Sequence, residues 1–281
     1  MSGEKELRES LFCCPVCGGP LRDGSRALRC PAGHSFDLAA AGYTHLLPAN
    51  RKHSKNPGDD KAMVTARSAF LDKGYYAPLA NALCDLAARD CVPHPALLDC
   101  GCGEGYYTAT LAARLAQEGR SGPIAGVDIS KFALRRAAKR VKEGEFAVAS
   151  VYHLPVADES VDLLFNVFSP LCPQEFARVL RPGGYFYYVV PSALHLWEMK
   201  SVLYDKPYEN AVKREDYPGF QWLEAVPLRY TVHLDCAQDI MALFGMTPYA
   251  WKTPKAGVER LSALDELDTQ IGFDIHVYRK L

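Results

Sequence analysis

The 281-residue chain has no run of 18 apolar residues, which excludes a membrane-spanning helix of ordinary length. Its first ten residues, MSGEKELRES, lack the apolar core of a secretory signal. It has almost no net charge. Lys and Arg number 32 against 33 Asp and Glu, so no global field gathers nucleic acid and any basic surface must be local. A third glycine is also missing where one nucleotide-binding fingerprint would need it. The dinucleotide form G-x-G-x-x-G, read from Gly101, calls for glycine at 106, and Tyr106 stands there. Cysteine, by contrast, is plentiful at ten residues. Without a secretory signal these thiols point to the reducing cytoplasm, where they bind metal or pack rather than pair.

Four residues near the start have the spacing of a metal clip. Cys14, Cys17, Cys30 and His34 read C-x2-C-x12-C-x3-H. Gly18 and Gly19 let the chain reverse so that both sulfurs of the first pair reach one ion. Asp23-Gly24 reads as the turn of a hairpin between the two half-sites. The C-x2-C spacing selects Cys14 over its neighbour Cys13. Three thiolates and one imidazole close a tetrahedral structural Zn2+ site with no open position for catalysis. So small a fragment takes much of its folding free energy from the metal. Just after it, NRKHSK places Arg51, Lys52 and Lys55 together without an acid. The plain reading is a solvated loop; its place beside a metal module also suits phosphate contacts.

The catalytic signature lies further on. ALLDCGCGEGYYT is a short apolar strand, a glycine loop and the start of a helix. Asp99, Gly101, Gly103 and Gly105 give D-x-G-x-G-x-G, the form of S-adenosylmethionine sites, where glycines let the backbone approach the cofactor. A second strand, PIAGVDIS, ends in Asp128, placed to accept ribose hydroxyls. Strands over 146–149 and 161–168, a Leu154-Pro155 loop and an Arg-Pro-Gly-Gly turn follow in order. A strand over 225–235, a helix over 237–246 and a last strand over 273–280 complete the pattern. The expected fold class is α/β: a Rossmann-like, seven-stranded S-adenosylmethionine methyltransferase domain over 91–281. A zinc-ribbon module occupies 1–50, and a basic loop with a helical connector spans 51–90. The segment 198–224 reads as a lid, a substrate wall or a surface excursion.

These motifs, together with FDLAAAGYTHLLP, KNPGDDKAMVTARSAFLDKGYYAPL and ALHLWEMK, make the chain resemble a known family over nearly its whole length. It is similar to the bacterial large-subunit (23S) rRNA (guanine-N1)-methyltransferases, which are zinc-containing and S-adenosylmethionine-dependent. The resemblance implies a target guanine in a 23S rRNA hairpin near the peptide exit tunnel, and one branch of the family confers tylosin-type macrolide resistance. It implies cofactor contacts at Tyr76, the Gly103-Glu104 turn and His195, zinc at Cys14, Cys17, Cys30 and His34, and a homodimer. The acceptor side is expected at Asn166 to Pro170, with Phe168 as a stacking surface or a core residue. Asn166 is either a donor to guanine O6 or a local backbone partner. No general base stands out; His153 and His195 are the candidates. Ser150 stands where many such enzymes place an acid for the adenine amino group. Two other readings remain: a small-molecule methyltransferase with an accessory ribbon, and a cofactor-sensing binding module without catalysis.

Overall fold

A computed structural model of the chain describes residues 9–24, 26–48, 58–212 and 214–281. The basic stretch at Arg51, Lys52 and Lys55 lies outside the described residues.

Two sheets organise the molecule. The small one is a meander of β1 (Glu9–Cys13), β2 (Pro20–Gly24), β3 (Ala27–Arg29) and β4 (Ser35–Asp37). Its hairpin turns later than the Asp23-Gly24 pair suggests. Asp23 pairs with Leu28 and Gly24 with Ala27, so both residues of the expected turn lie within the paired strand. This register puts Leu21, Leu28 and Cys30 on the buried side and returns Cys30 to the knuckle, so core and metal override the local turn signal.

The large sheet begins with β5 (Tyr43–His45). Helices α1 (Lys61–Asp72) and α2 (Ala77–Asp90) follow, then β6 (Leu97–Cys100), α3 (Tyr106–Gln117), β7 (Ile124–Asp128), α4 (Lys131–Arg140), β8 (Glu145–Val148) and β9 (Val161–Val167). The chain ends with α5 (Pro173–Val179), β10 (Leu180–Pro191), α6 (Trp197–Leu203), β11 (Phe220–Leu234), α7 (Ala237–Gly245), α8 (Lys255–Ser262) and β12 (Leu267–Lys280). The strand order is β11-β12-β10-β9-β6-β7-β8-β5. Strands β5 to β10 run parallel, while β12 inserts antiparallel between β10 and β11. The seven expected strands are present and β5 is an eighth. It pairs with β8, so residues 43–45 belong to the large sheet although they precede the expected module boundary at residue 50.

Alternation along the central strands builds two cores. Leu97, Leu163, Phe165 and Ile275 pack on one face against α2, α3, α6, α7 and α8. Leu98, Leu164, Phe186 and Tyr278 face the other side with α5 and with Phe12, Leu21 and Leu28 of the ribbon. The ribbon is therefore a cover for part of the sheet. Its edge is fixed there by Cys13 N–H donating to Pro155 O at 2.7 Å and by pairing of Phe12 with Val156.

Candidate active site and metal centre

The glycine loop forms where β6 meets α3. Gly101, Gly103 and Gly105 all have left-handed φ, at 84°, 53° and 76°. A side chain at such φ is strained, which explains the residue type. They serve different purposes. A Cβ at Gly101 would run into the Ser169 side chain, and one at Gly105 would press on Ala137 of α4 at 3.0 Å. A Cβ at Gly103 would meet nothing within 4 Å. Two of the glycines permit close packing, and the third faces open space.

Asp128 at the end of β7 holds this loop in place. Its Oδ2 accepts from Gly103 N–H at 2.9 Å and its Oδ1 from Ser130 N–H at 2.7 Å. Burial raises its carboxyl, and these bonds work against that rise. Asp99 is buried beneath the loop and accepts from Thr108 Oγ1 at 2.5 Å. Burial pushes its carboxyl up to about 7, with Thr108 opposing and Asp128 adding to the rise.

Glu104 is 1% exposed, and neither carboxylate oxygen has a well-formed hydrogen bond. The neighbouring Ser68 Oγ on α1 is equally without one. Burial raises the Glu104 carboxyl while Arg67, Arg140 and Ser68 pull it back. A buried, unmatched carboxylate is costly unless a donor or cation completes it. Open space at Gly103 beside an unmatched acceptor at Glu104 fits the cationic amino-acid end of S-adenosylmethionine.

Phe273 of β12 joins residues distant in sequence. Its ring centroid lies 5.2 Å from Tyr76, 4.7 Å from His195 and 5.0 Å from Phe168. The sequence marks Phe273 only as the first residue of the last strand; its position as a hub has no local signal. His195 Nδ1 accepts from Gly272 N–H at 3.3 Å, so the proton of the neutral ring sits on Nε2. Burial first, then the charges of Lys200 and Arg229, hold this imidazole down at about 3. The ring is therefore neutral at physiological pH and offers Nε2–H as a donor. Its loop is tied to segment 204–219: Asn210 Nδ2 donates to Ser192 O at 2.8 Å, and the fully buried Lys200 donates to Asn210 Oδ1 at 2.8 Å.

The loop after β9 resolves two of the alternatives left open by the sequence. Asn166 spends its Nδ2 donor on Ser169 Oγ at 2.6 Å and Pro170 O at 3.0 Å, so it is a local partner rather than a donor to a base. Its Oδ1 has no partner. Phe168 is not core. It is 48% exposed and has φ 55°, a left-handed conformation uncommon for a bulky residue. Ser150 Oγ accepts from Tyr152 N–H at 3.3 Å, and His153 is exposed on the same loop.

The metal residues converge. Cys17 and Cys30 sulfurs are 3.7 Å apart, and His34 Nδ1 lies 3.5 Å from Cys14 Sγ and 3.3 Å from Cys30 Sγ. A tetrahedron with Zn–S near 2.3 Å and Zn–N near 2.0 Å has S···S edges of about 3.8 Å and S···N edges of about 3.5 Å. The four donors fit zinc. Burial raises the Cys14 thiol. It opposes ionisation of Cys30 as well, but hydrogen bonding to His34 and Cys17 brings that thiol to about 6. The other acidic and thiol group, Asp235, Cys236 and Asp239, is committed elsewhere: Asp239 accepts from Lys73 at 2.6 Å and Tyr75 at 2.7 Å.

Comparison with known proteins finds matches in two stretches of the chain. A family model described as RlmA, N-terminal, matches residues 12–55, and one described as Methyltransferase domain matches residues 93–224. A Micromonospora griseorubida protein named for 23S rRNA (guanine-N(1)-)-methyltransferase activity is 38% identical, covering 90% of this chain and 91% of its own length. The 23S rRNA (guanine(748)-N(1))-methyltransferase of Streptomyces fradiae is 37% identical over 85% of each chain. A similarly named protein of Bacillus subtilis is 33% identical over 96% of this chain and 98% of its own.

Proposed function

The chain belongs to the 23S rRNA (guanine-N(1)-)-methyltransferase family, and on that premise we propose how its own residues divide the work. The reaction is S-adenosylmethionine-dependent methylation of guanine N1 in 23S rRNA. The cofactor supplies the electrophilic methyl group; holding and orienting both partners falls to the chain.

For the cofactor we assign Tyr76, Asp99, Gly101, Gly103, Glu104, Gly105, Asp128 and His195. Gly103 leaves room for close backbone approach, and Glu104 offers acceptors to a cationic group. Asp128 keeps lone pairs free for ribose hydroxyls beyond its two backbone bonds. His195 offers Nε2–H to an anionic or carbonyl oxygen. Asp99 and Thr108 support the loop from below. Cys14, Cys17, Cys30 and His34 hold one structural zinc, which keeps the ribbon rigid and takes no part in the chemistry.

The observation that carries the acceptor side is the Phe273 hub. Tyr76, His195 and exposed Phe168 each pack on this one ring, and an unstacked base entering from solvent would meet an aromatic face at Phe168. N1 lies on the Watson–Crick edge, so the guanine must be unpaired or flipped to enter. The inferred target is the hairpin near the peptide exit tunnel. The inferred working unit is a cytoplasmic homodimer, a state checked by light scattering. Among the described residues no helix is long and apolar enough to cross a membrane.

The test is acceptor choice. With S-adenosylmethionine labelled in the methyl group, unmodified 23S rRNA should take up label, and free guanosine or small phenols and amines should not. Labelling of small molecules alone would replace this reading with the small-molecule methyltransferase.

A further inference from the structure

The open face of the ribbon carries charge that the ribbon itself does not use. Strands β2 and β3 place Arg22 directly opposite Arg29, and Gly24 opposite Ala27; β3 and β4 place Ala27 opposite Asp37. Side chains alternate, so these residues share one face while Leu21, Leu28 and Cys30 turn inward. The small pair Gly24 and Ala27 lowers the turn end of that face. The outcome is a cavity of about 620 Å³ lined by Arg22, Arg26 and Arg29, with Asp23 and Asp37 at its border.

Like charges directly opposite each other on paired strands are destabilising. Here the side chains of Arg22, Arg29 and, in the turn, Arg26 make no hydrogen bond or ion pair among the described residues, although two carboxylates border the same cavity and Glu9 of β1 stands opposite Arg22 on its other side. Several arginines of the catalytic domain, by contrast, are held by partners. Arg178 holds Glu175, Asp158 and two carbonyls, Arg181 holds Asp162, Arg229 holds Asp274, and Arg120 caps carbonyls of Ala88 and Cys91. Among the described residues, three guanidiniums without a side-chain partner thus border one depression, two of them side by side, and together they can take up an anion.

We propose that Arg22, Arg26 and Arg29 form a phosphate clamp on the ribbon that grips the ribose-phosphate backbone of the 23S rRNA substrate. This rests on the rRNA reading above. Guanidinium forks match phosphate oxygens bidentately, and opposed strand positions bring two of them within about 5 Å at Cα, close enough to hold one phosphate or two in succession. Asp23 and Asp37 leave one net positive charge in the cavity's lining, and Glu9 faces Arg22 beside it. A single small anion gains little from that balance, whereas a polyanion that meets all three guanidiniums gains from each. Such contacts set register and do not read sequence. They make the ribbon the part that orients the RNA while the catalytic domain takes the base.

The experiment uses the full chain with zinc bound and an unmodified 23S rRNA transcript. In the variant carrying Arg22→Gln and Arg29→Gln, binding should weaken about tenfold at moderate salt, and the slope of log affinity against log salt should flatten by about 1.4–1.8, the value of two phosphate contacts. Zinc content and S-adenosylmethionine affinity should stay at wild-type values. Arg22→Lys with Arg29→Lys should recover most of the slope. On the wild-type protein, which needs no variant to fold, the transcript should shield Arg22 and Arg29 from phenylglyoxal, and millimolar inorganic phosphate should not. Wild-type affinity and slope in the glutamine variant, no shielding by RNA, or shielding by phosphate alone would each overturn the clamp. If wild-type enzyme methylates rRNA while the clamp tests fail, only the clamp is lost; if it neither binds nor methylates rRNA, the functional reading falls first.

Discussion

Replacing Gly101 and Gly103 separately by alanine should give two different failures. Both positions have left-handed φ, so each substitution costs roughly 1–2 kcal/mol of backbone strain. At Gly103 that is nearly all, because the new methyl meets nothing within 4 Å. At Gly101 the methyl must displace the Ser169 side chain. Ser169 Oγ donates to Cys100 O at 2.6 Å and accepts from Asn166 at 2.6 Å. Losing both bonds adds about 2 kcal/mol, for a total of about 3–4 kcal/mol. That is a large share of an ordinary domain's stability of about 5–15 kcal/mol. Urea unfolding should show Gly101→Ala falling well below Gly103→Ala. Calorimetry on folded protein should show the selective defect: Gly103→Ala should lose at least about tenfold in S-adenosylmethionine affinity, about 1.4 kcal/mol, because its methyl enters the cofactor's space. Full cofactor affinity in Gly103→Ala, or equal unfolding midpoints for the two variants, would refute this placement of the loop.

Three further outcomes follow from the same geometry. Cys17→Ser should abolish zinc by elemental analysis and lower the melting temperature, since ribbon residues Phe12, Leu21 and Leu28 cover the sheet, while S-adenosylmethionine still binds; retained zinc would contradict the ligand set. Asp99 has a folded carboxyl near 7 against an ordinary value of 3.8, so the native state keeps a proton that the unfolded chain has released, and stability falls as pH rises between about 4 and 7. In melts from pH 5 to 8, wild type should therefore lose ground to Asp99→Asn as pH rises up to about 7; a constant difference would show that the buried carboxyl is not shifted. Phe168→Ala should reduce rRNA methylation at least about tenfold with cofactor affinity unchanged, as stacking on one base is worth about 1–3 kcal/mol; unchanged turnover would return Phe168 to a structural role.

The parts of this molecule that a local pattern determines were legible in the sequence. Zinc-ligand spacing, the glycine loop, Asp128 at a strand end and the succession of elements along the chain each depend on neighbours a few residues apart, and the structure keeps them. What tertiary contact decides was not. The ribbon hairpin turns past Gly24 because Cys30 must return to the knuckle and Leu28 must be buried. Tyr43–His45 extends the large sheet because the edge of β8 is available to it. Phe273 becomes the hub of the acceptor side only once β12 inserts between β10 and β11. The attention drawn by Arg51, Lys52 and Lys55 followed from adjacency in sequence. Arg22 and Arg29 are seven positions apart and become neighbours only through strand pairing.

The central claim is that this chain methylates N1 of a guanine in 23S rRNA. The direct measurement is to treat unmodified 23S rRNA with the purified protein and S-adenosylmethionine, digest it to nucleosides and identify the product by mass spectrometry against authentic standards, with reverse transcription on the same sample. The account predicts 1-methylguanosine and a single new reverse-transcription stop, because a methyl at N1 occupies the pairing edge. A different methylated nucleoside, or rRNA that stays unmodified while the protein binds S-adenosylmethionine, would contradict it.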